Sequence, residues 1–584
     1  MIKEHAWRYS LIMILLLLFA ILVVTRLVLL QVLPSYYQPL EKDLDNSSRE
    51  WRPIFPARGR IFDRYGYLLV GNEMVYEVGC DLTKIEDIET VASEVSKILG
   101  VNYSKTFADL SVKPTKDYFH ATLAKDVSKE KKAELEKKVE EMSANIKDKK
   151  LATLNCLDFF PSLRRVYPEK SLASNLIGFV YRDGRGYFGV EEKYNTQLAG
   201  TPKYVLVPLD PNKVADLPEV PDGASLVLTI DREIQRAMED VVDGAMKESG
   251  AKAGVIVVID PRTGEILSIA TSVRMDLNVL EEFDKRYSSE VPFNKAISQP
   301  YEPGSVYKVL TMASALDSGA VQLDTMFTDT GSIVVGGATI LNWNRGAWGP
   351  QSMQGCMQHS LNVCLAWIAS QEGAANFYRY MQSFGIGRLT GIDLGGEAAG
   401  RLKMPGDKDW YPADLGTNAF GQSVSATPLQ MAAAISSIAN EGKMMHPHVV
   451  RSIIYRGFQQ DTEIRPISQP IKAETARSLT EMLAASLEKE SSDALVTGYR
   501  VAGKTGTAEI PTPFGYTSSA TNASFVGWGP VDDPRFLVYV WLQEPTSSPW
   551  GSIVAAPVFR KAVERLVVLI NLPPDDLRHI YQGQ

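Results

Sequence analysis

The hydrophobic pattern divides this chain into distinct stretches before any chemistry is considered. Leu11 to Val24 is apolar without a break, and Leu27 to Leu30 continues it past Thr25 and Arg26. That is about 20 residues, the length a helix needs to cross a bilayer, with Arg26 close enough to one end to reach the interface. From about Lys84 to Lys150, Lys and Glu dominate, and Val127 to Lys147 predicts a solvated amphipathic helix. Strands and turns are expected to follow through Tyr204. Near Ser225 the character changes. Leu226 to Ile230 predicts a strand, Asp231 an N-cap for a helix through Met246, and Gly254 to Ile259 a fully buried strand. Turn residues from Asp260 to Gly264 lead into a second strand, Ile266 to Ala270. Helical stretches are expected from Lys308 to about Asn440, strands at Gly503 to Glu509 and Ser524 to Leu542, and a closing helix from about Ala556 to Ile570. Strands and a helix, a helical middle, then more strands and a helix predict an α+β domain whose two chain ends share one sheet.

Composition narrows the class. With 584 residues the chain has room for two or more domains, and 45% hydrophobic with 22% charged residues is a globular balance. A net charge of -8 argues against a nucleic-acid partner. Cys80, Cys156, Cys356 and Cys364 are too few for a disulfide scaffold and form no CxxC pair; Cys356 and Cys364 flank the middle motif, where a redox role competes with the expected one of small buried hydrophobes. Lys3 and Arg8 precede the apolar run, and no small-x-small cleavage site follows it. The positive-inside rule then puts a short tail in the cytoplasm and the body outside, as a single-pass anchored protein.

Three short motifs carry the candidate chemistry. Tyr301 to Gly304 is a turn, and a helix beginning there sets Ser305 near unpaired N–H groups that favour a developing oxyanion. Lys308 lies one turn along the same face, within reach of the Ser305 hydroxyl. A serine nucleophile needs a base, and a lysine serves only when neutral, a state favoured by burial and by a second cation such as Lys504. Ser360 and Asn362 flank Leu361 and offer a proton relay and an amide that can hold a peptide. Lys504-Thr505-Gly506-Thr507 predicts a strand whose alternation turns the two threonine hydroxyls to one face, suited to a substrate carboxylate. Gly506 would let another backbone approach, and an extended peptide could pair along the edge. The same alternation points Lys504 away, so its ammonium has to curl round the strand. The segment Pro511 to Asn522, rich in Gly, Ser, Thr and Pro, is expected to be a mobile loop.

Other readings compete for these residues. Gly498 to Thr505 fits the phosphate-binding pattern G-x-x-x-x-G-K-[ST], which would make the chain a nucleotide hydrolase. Gly506 and Pro511 bracket a segment ill suited to the helix that motif needs, and the Val255 to Asp260 strand precedes it instead of following. His446-Pro-His448 lacks a partner motif for a metal site and is expected in a turn.

The trio Ser305-x-x-Lys308, Ser360-x-Asn362 and Lys504-Thr-Gly506, in this order, resembles the motif set of serine β-lactamases and penicillin-binding proteins. Further stretches resemble class B penicillin-binding proteins in particular. Arg58 to Gly66, Arg165 to Pro168 and Gly189 to Tyr194 are similar to motifs of their non-catalytic pedestal; Asn294 to Ala296 and Gly421-Gln-Ser423 to Gln430 are similar to catalytic-domain stretches. Ser423 stands where the family usually has a glycine. The resemblance implies a cytoplasmic tail at 1–9, a membrane anchor at 10–33, a pedestal at 34–224 with the charged helical segment at about 84–150, a transpeptidase domain at 225–572 and a tail at 573–584. It implies the penicillin-binding and serine β-lactamase-like fold, an antiparallel sheet with helices, and no metal or organic cofactor.

The implied activity is a peptidoglycan D,D-transpeptidase. Ser305 would attack the penultimate D-alanine of a stem peptide, with Lys308 as base, Ser360 as relay, Asn362 and Lys504 assisting, Thr505, Gly506 and Thr507 binding substrate, and backbone N–H groups of Ser305 and Thr507 as oxyanion hole. β-Lactams would acylate Ser305. Family members of this kind usually work with a polytopic membrane glycosyltransferase of the shape, elongation, division and sporulation family. Arg58, Asp63 and Arg64 would be structural, and Ser-x-Asn leans toward the division type. The same site is shared by D,D-carboxypeptidases, by β-lactam sensors, and by β-lactamases, for which Glu397 would be the candidate activating group.

Overall fold

A computed structural model describes residues 6–32, 49–85, 87–115, 118–144, 154–208, 220–288, 291–512 and 515–582. Residues 33–48, which include Pro34 and Pro39, and the first five residues lie outside them. The chain forms two compact units, residues 1–57 with 200–223, and residues 58–199 with 224–584. In the first, Ala6–Val32 is one helix whose Ser10–Leu29 segment is long and apolar enough to cross a membrane, with a mean hydropathy of 3.0. The strands Arg49–Ile54 and Lys203–Pro208 pair antiparallel within the same unit.

The second unit is built on a five-stranded antiparallel sheet. Its strands run Ile266–Thr271, Ala253–Ile259, Phe536–Gln543, Gly515–Gly529 and Ala502–Thr512 in spatial order. The unbroken apolar runs have a direct cause, because the sheet is covered on both faces. Val255, Val257 and Ile259 enter one core while Ile256 and Val258 enter the other, and Leu537, Tyr539 and Trp541 alternate with Val538, Val540 and Leu542 in the same way. The helices Arg232–Ser249 and Ala556–Leu569 cover the second face; Asp231 caps the first of them, accepting from the Glu233 and Ile234 N–H groups as expected. The strand Ala502–Thr512 ends the sheet, so one of its edges is free to face a cleft.

A mixed sheet joins sequence-distant strands. Ser225–Leu228 pairs antiparallel with Val450–Tyr455 and parallel with Ile61–Phe62, which continues into Leu68–Asp81, His120–Val127 and Leu157–Val166. The charged segment contributes the helix Lys129–Ala144, while the expected extension to Lys147 lies outside the described residues. Beside the mixed sheet, Glu191 is fully buried between two guanidinium groups. Arg58 Nε donates to it at 2.7 Å and Arg165 Nε at 2.8 Å. Arg64 pairs with Glu265 at 3.2 Å, and the Asp63 carboxylate accepts the N–H groups of Tyr65 and Tyr67. The Arg58, Asp63 and Arg64 cluster is structural, as expected, although Asp63 closes a turn rather than an ion pair.

Three expectations are corrected. The four cysteines are bonded, as Cys80–Cys156 and Cys356–Cys364. Sequence separation hid the first pair, which meets because Cys80 lies opposite Leu157 in the paired strands. The helical middle is interrupted by two hairpins, Met326–Asp329 with Gly349–Ser352 and Ser332–Val335 with Ala338–Leu341. Four-residue strands are too short to show a period of two. Finally, where a loop was expected, residues 511–512 and 515–522 continue the two strands as a ribbon in which Ile510 faces Thr517 and Pro511 faces Tyr516.

Candidate active site

The turn carrying Ser305, the second motif and the edge strand meet around one cleft of about 960 Å³. Gly304–Tyr307 is a 3-10 turn that runs into the helix Lys308–Ser318, so Ser305 stands at the start of continuous helical backbone. Two glycines allow the turn to press on the edge strand. Gly304 adopts φ +58, and a Cβ there would lie 2.8 Å from the Thr507 carbonyl oxygen. A Cβ on Gly506 would meet a Val306 methyl at 2.9 Å. Gly304→Ala is therefore expected to cost about 1–3 kcal/mol of local strain and to move Ser305 off the strand, which would slow any acylation of its hydroxyl. An alanine variant with unaltered acylation kinetics would show that this contact is not needed.

Lys308 is fully buried. Its amine donates to the Ser360 carbonyl at 2.6 Å, the Ser360 hydroxyl at 3.2 Å and Asn362 Oδ1 at 2.7 Å. Among the described residues it is bonded to the second motif and not to Ser305. Burial first, and then the nearby Lys504 ammonium, hold its pKa well below that of an ordinary lysine. Burial also pushes Lys504 down to about 8, against the opposing charge of Glu490. The Lys504 ammonium does curl round its strand, donating to the Thr505 hydroxyl at 3.2 Å. Two cations near one another in a dry site cannot both hold their protons easily, which is the electrostatic condition a lysine base requires.

The second motif is held from several sides. Ser360 takes a left-handed φ of +54, between the helices Met353–Gln358 and Asn362–Glu372. The Cys356–Cys364 bond ties those two helices together across it. Asn362 Nδ2 donates to the Leu341 carbonyl at 3.1 Å, which anchors the motif to one of the unexpected hairpins. On the edge strand, Thr505 and Thr507 both line the cleft, and the Thr507 hydroxyl accepts the Gly551 N–H at 3.0 Å.

Every motif residue expected in the site is brought to it, with Lys308 and Gly506 behind its wall and the others lining it. Sequence reasoning missed the rest of the lining. Trp343 and Trp550 meet edge to face at 5.5 Å, Trp348 stacks on His359 at 4.2 Å, and Glu490, Glu509 and Tyr516 also face the cleft. Of these, only Glu509 had a signal, since it continues the alternation of Thr505 and Thr507. Ser423 adopts φ +60, the conformation its usual glycine would take without strain, and its N–H donates to Glu302 at 3.1 Å. The competing readings lose their geometry. Lys504 pairs with Val526 inside a strand, where a phosphate-binding loop would open into a helix. Glu397 closes a turn by accepting from Thr390 and Gly391 and is absent from the cleft lining.

Comparison with known proteins identifies the family. Residues 254–564 match the penicillin binding protein transpeptidase domain, and residues 53–216 the penicillin-binding protein dimerisation domain. The chain is similar to stage V sporulation protein D of Bacillus subtilis, 30% identical over 519 residues, covering 87% of this chain and 77% of that protein. It is 27% identical over 588 residues to the probable peptidoglycan D,D-transpeptidase PbpC of Pseudomonas aeruginosa, covering 99% and 97%. Among solved structures, penicillin binding protein 3 of Mycobacterium tuberculosis complexed with aztreonam superposes with a TM-score of 0.68 at 25% identity, covering 90% of this chain and 98% of that one. The chain belongs to the class B penicillin-binding proteins, the peptidoglycan D,D-transpeptidases that carry a dimerisation domain ahead of a serine acyltransferase domain and bind β-lactams.

Proposed function

We propose that Ser305 is the nucleophile and Lys308 the base of this transpeptidase. The observation that carries the reading is the fully buried Lys308 amine, depressed in pKa and bonded to Ser360 and Asn362 directly behind the nucleophile turn. With Lys308 neutral, Ser305 Oγ attacks the penultimate D-alanine carbonyl while its proton passes to the amine. The N–H groups of Ser305 and Thr507 hold the resulting oxyanion. The proton then moves through the Ser360 hydroxyl to the leaving nitrogen, the C–N bond breaks, and D-alanine departs. An amine from a second stem peptide attacks the acyl-Ser305 carbonyl, forming the cross-link and restoring the serine. Lys504, with the Thr505 and Thr507 hydroxyls, binds the terminal carboxylate, and Asn362 holds the peptide amide.

The domain division follows the same reading: a cytoplasmic tail at 1–9, a membrane anchor at 10–33, a pedestal at 34–224, the catalytic domain at 225–572 outside the cytoplasmic membrane, and a tail at 573–584. Lys3 and Arg8, ahead of the apolar segment Ser10–Leu29, support that orientation. A polytopic membrane glycosyltransferase that makes the glycan strands is the proposed partner of the anchor and pedestal. The test is intact mass after benzylpenicillin, followed by peptide mapping. One adduct per chain, on the peptide containing Ser305, is expected. An adduct elsewhere, or none, sinks the assignment, and a stem-peptide cross-linking assay then separates a transpeptidase from a carboxypeptidase or sensor.

A further inference from the structure

The cleft carries two carboxylates that acyl transfer does not use. Glu490, just past the helix Ala473–Lys489, acts on the charge of Lys504 and so belongs to the electrostatics already described. Glu509 is different. It lines the cleft, and among the described residues no cation or hydrogen-bond donor pairs with its carboxylate. Thr505, Thr507 and Glu509 follow one another at steps of two along the edge strand, so they face the same track. Opposite Glu509 in register is Thr521, whose hydroxyl donates to the Pro549 carbonyl at 3.0 Å. That contact brings Trp550, 40% exposed, to the same end of the cleft. Beyond Thr507 the track therefore ends in an aromatic surface beside an unpartnered anion. A row of methylenes ending in an ammonium fits both, by apolar packing on the ring and charge pairing with the carboxylate.

This inference rests on the proposed peptide track. A donor with its terminal carboxylate at Thr505 and its attacked carbonyl at the Thr507 N–H can continue in one direction only, toward Glu509. On a paired edge, a long side chain one residue upstream of the attacked D-alanine reaches a diagonal neighbour on the strand. Cross-linking consumes an amine of a stem peptide, and donor and acceptor are copies of the same stem, so the donor bears that amine too. We propose that Glu509 and Trp550 form a subsite that selects donor stems whose upstream side chain ends in a free ammonium. A stem whose amine has already been acylated loses the charge and becomes a poorer donor. Glu509 is thus a specificity-determining residue that biases cross-linking toward stems not yet used as acceptors.

The test uses the full chain in detergent and two D-alanyl-D-alanine peptides that differ only in a free or acetylated lysine ε-amine upstream. Each peptide is scored by the concentration that halves the rate of acylation by benzylpenicillin, which requires occupancy and not turnover. In the native chain the free-amine peptide is expected to protect at about tenfold lower concentration. Glu509→Gln should bring the two peptides to near equality by weakening the free amine alone, and Glu509→Lys should invert the order. Equal protection in the native chain, protection by neither peptide, or a preference that survives Glu509→Gln overturns the proposal. Failure of the native chain to form any benzylpenicillin adduct overturns the acyl-serine reading instead.

Discussion

Lys308→Met is expected to slow benzylpenicillin acylation by roughly a hundred- to ten-thousand-fold, and Ser305→Ala to abolish it. Methionine resembles the lysine stem in shape and can fill the fully buried site, so the variant is expected to fold. It cannot accept the Ser305 proton, and it leaves the Ser360 carbonyl and Asn362 Oδ1 without the donor they now have. The pH profile gives an independent check with a definite sign. With Lys308 as the proposed base, acylation needs it neutral, so the rate is expected to rise as pH increases through its depressed pKa, well below the ordinary lysine range. It is expected to fall again as Lys504, at about 8, loses the charge proposed to hold the substrate carboxylate. Replacing Lys504 with methionine removes the cation that helps depress Lys308, so the rising limb moves to higher pH, while Lys504→Arg keeps it nearer its native place. Stopped-flow acylation across pH measures both limbs. A Lys308→Met rate within tenfold of native, or a rising limb unmoved by Lys504→Met, would argue for a different base.

Glu191→Ala is expected to destabilise the protein by about 3–5 kcal/mol. The carboxylate is wholly buried, bonded to Arg58 and Arg165, whose side chains are themselves 10% and 5% exposed. Removing it strands two guanidinium groups that have few other acceptors. Arg165 keeps the Gly59 carbonyl and Asn72 Oδ1, and Arg58 keeps Asn195 Oδ1 and the Glu191 carbonyl. Those neutral acceptors do not cancel two like charges in a dry site. Thermal unfolding followed by tryptophan fluorescence should show a large drop for Glu191→Ala and a similar one for Glu191→Gln, which keeps the shape but not the charge. A loss below about 1 kcal/mol would mean that water reaches the pair.

Some of this molecule is legible in local order. The apolar runs of Ala253–Ile259 and Phe536–Gln543 could be read because a strand covered on both faces needs no polar positions. The helix start at Asp231 could be read because an N-cap acts within three residues. The hairpins at Met326 to Ser352 could not, since short strands in a polar setting leave no period. Nor could the disulfides, whose partners meet only when strand register and helix packing bring them together. At the cleft, the three motifs were visible because each is a local pattern of reactive groups. The wall of Trp343, Trp550 and Glu490 was not, because it comes from segments that share no sequence neighbourhood; Glu509, two residues past Thr507 on the same strand, is the exception.

Local order in the chain was enough to name the candidate reactive groups, to place strands and helices where the pattern is strong, and to mark an apolar helix long enough to span a bilayer. Those properties depend on neighbours within one turn or a few strand residues. Packing of distant segments settled that Lys308 is dry and close to a second cation, that Lys504 turns back over its own strand, and that Glu509 lines the cleft with no partner among the described residues. Desolvation and charge coupling depend on what the rest of the chain packs against a group, and no local pattern records that.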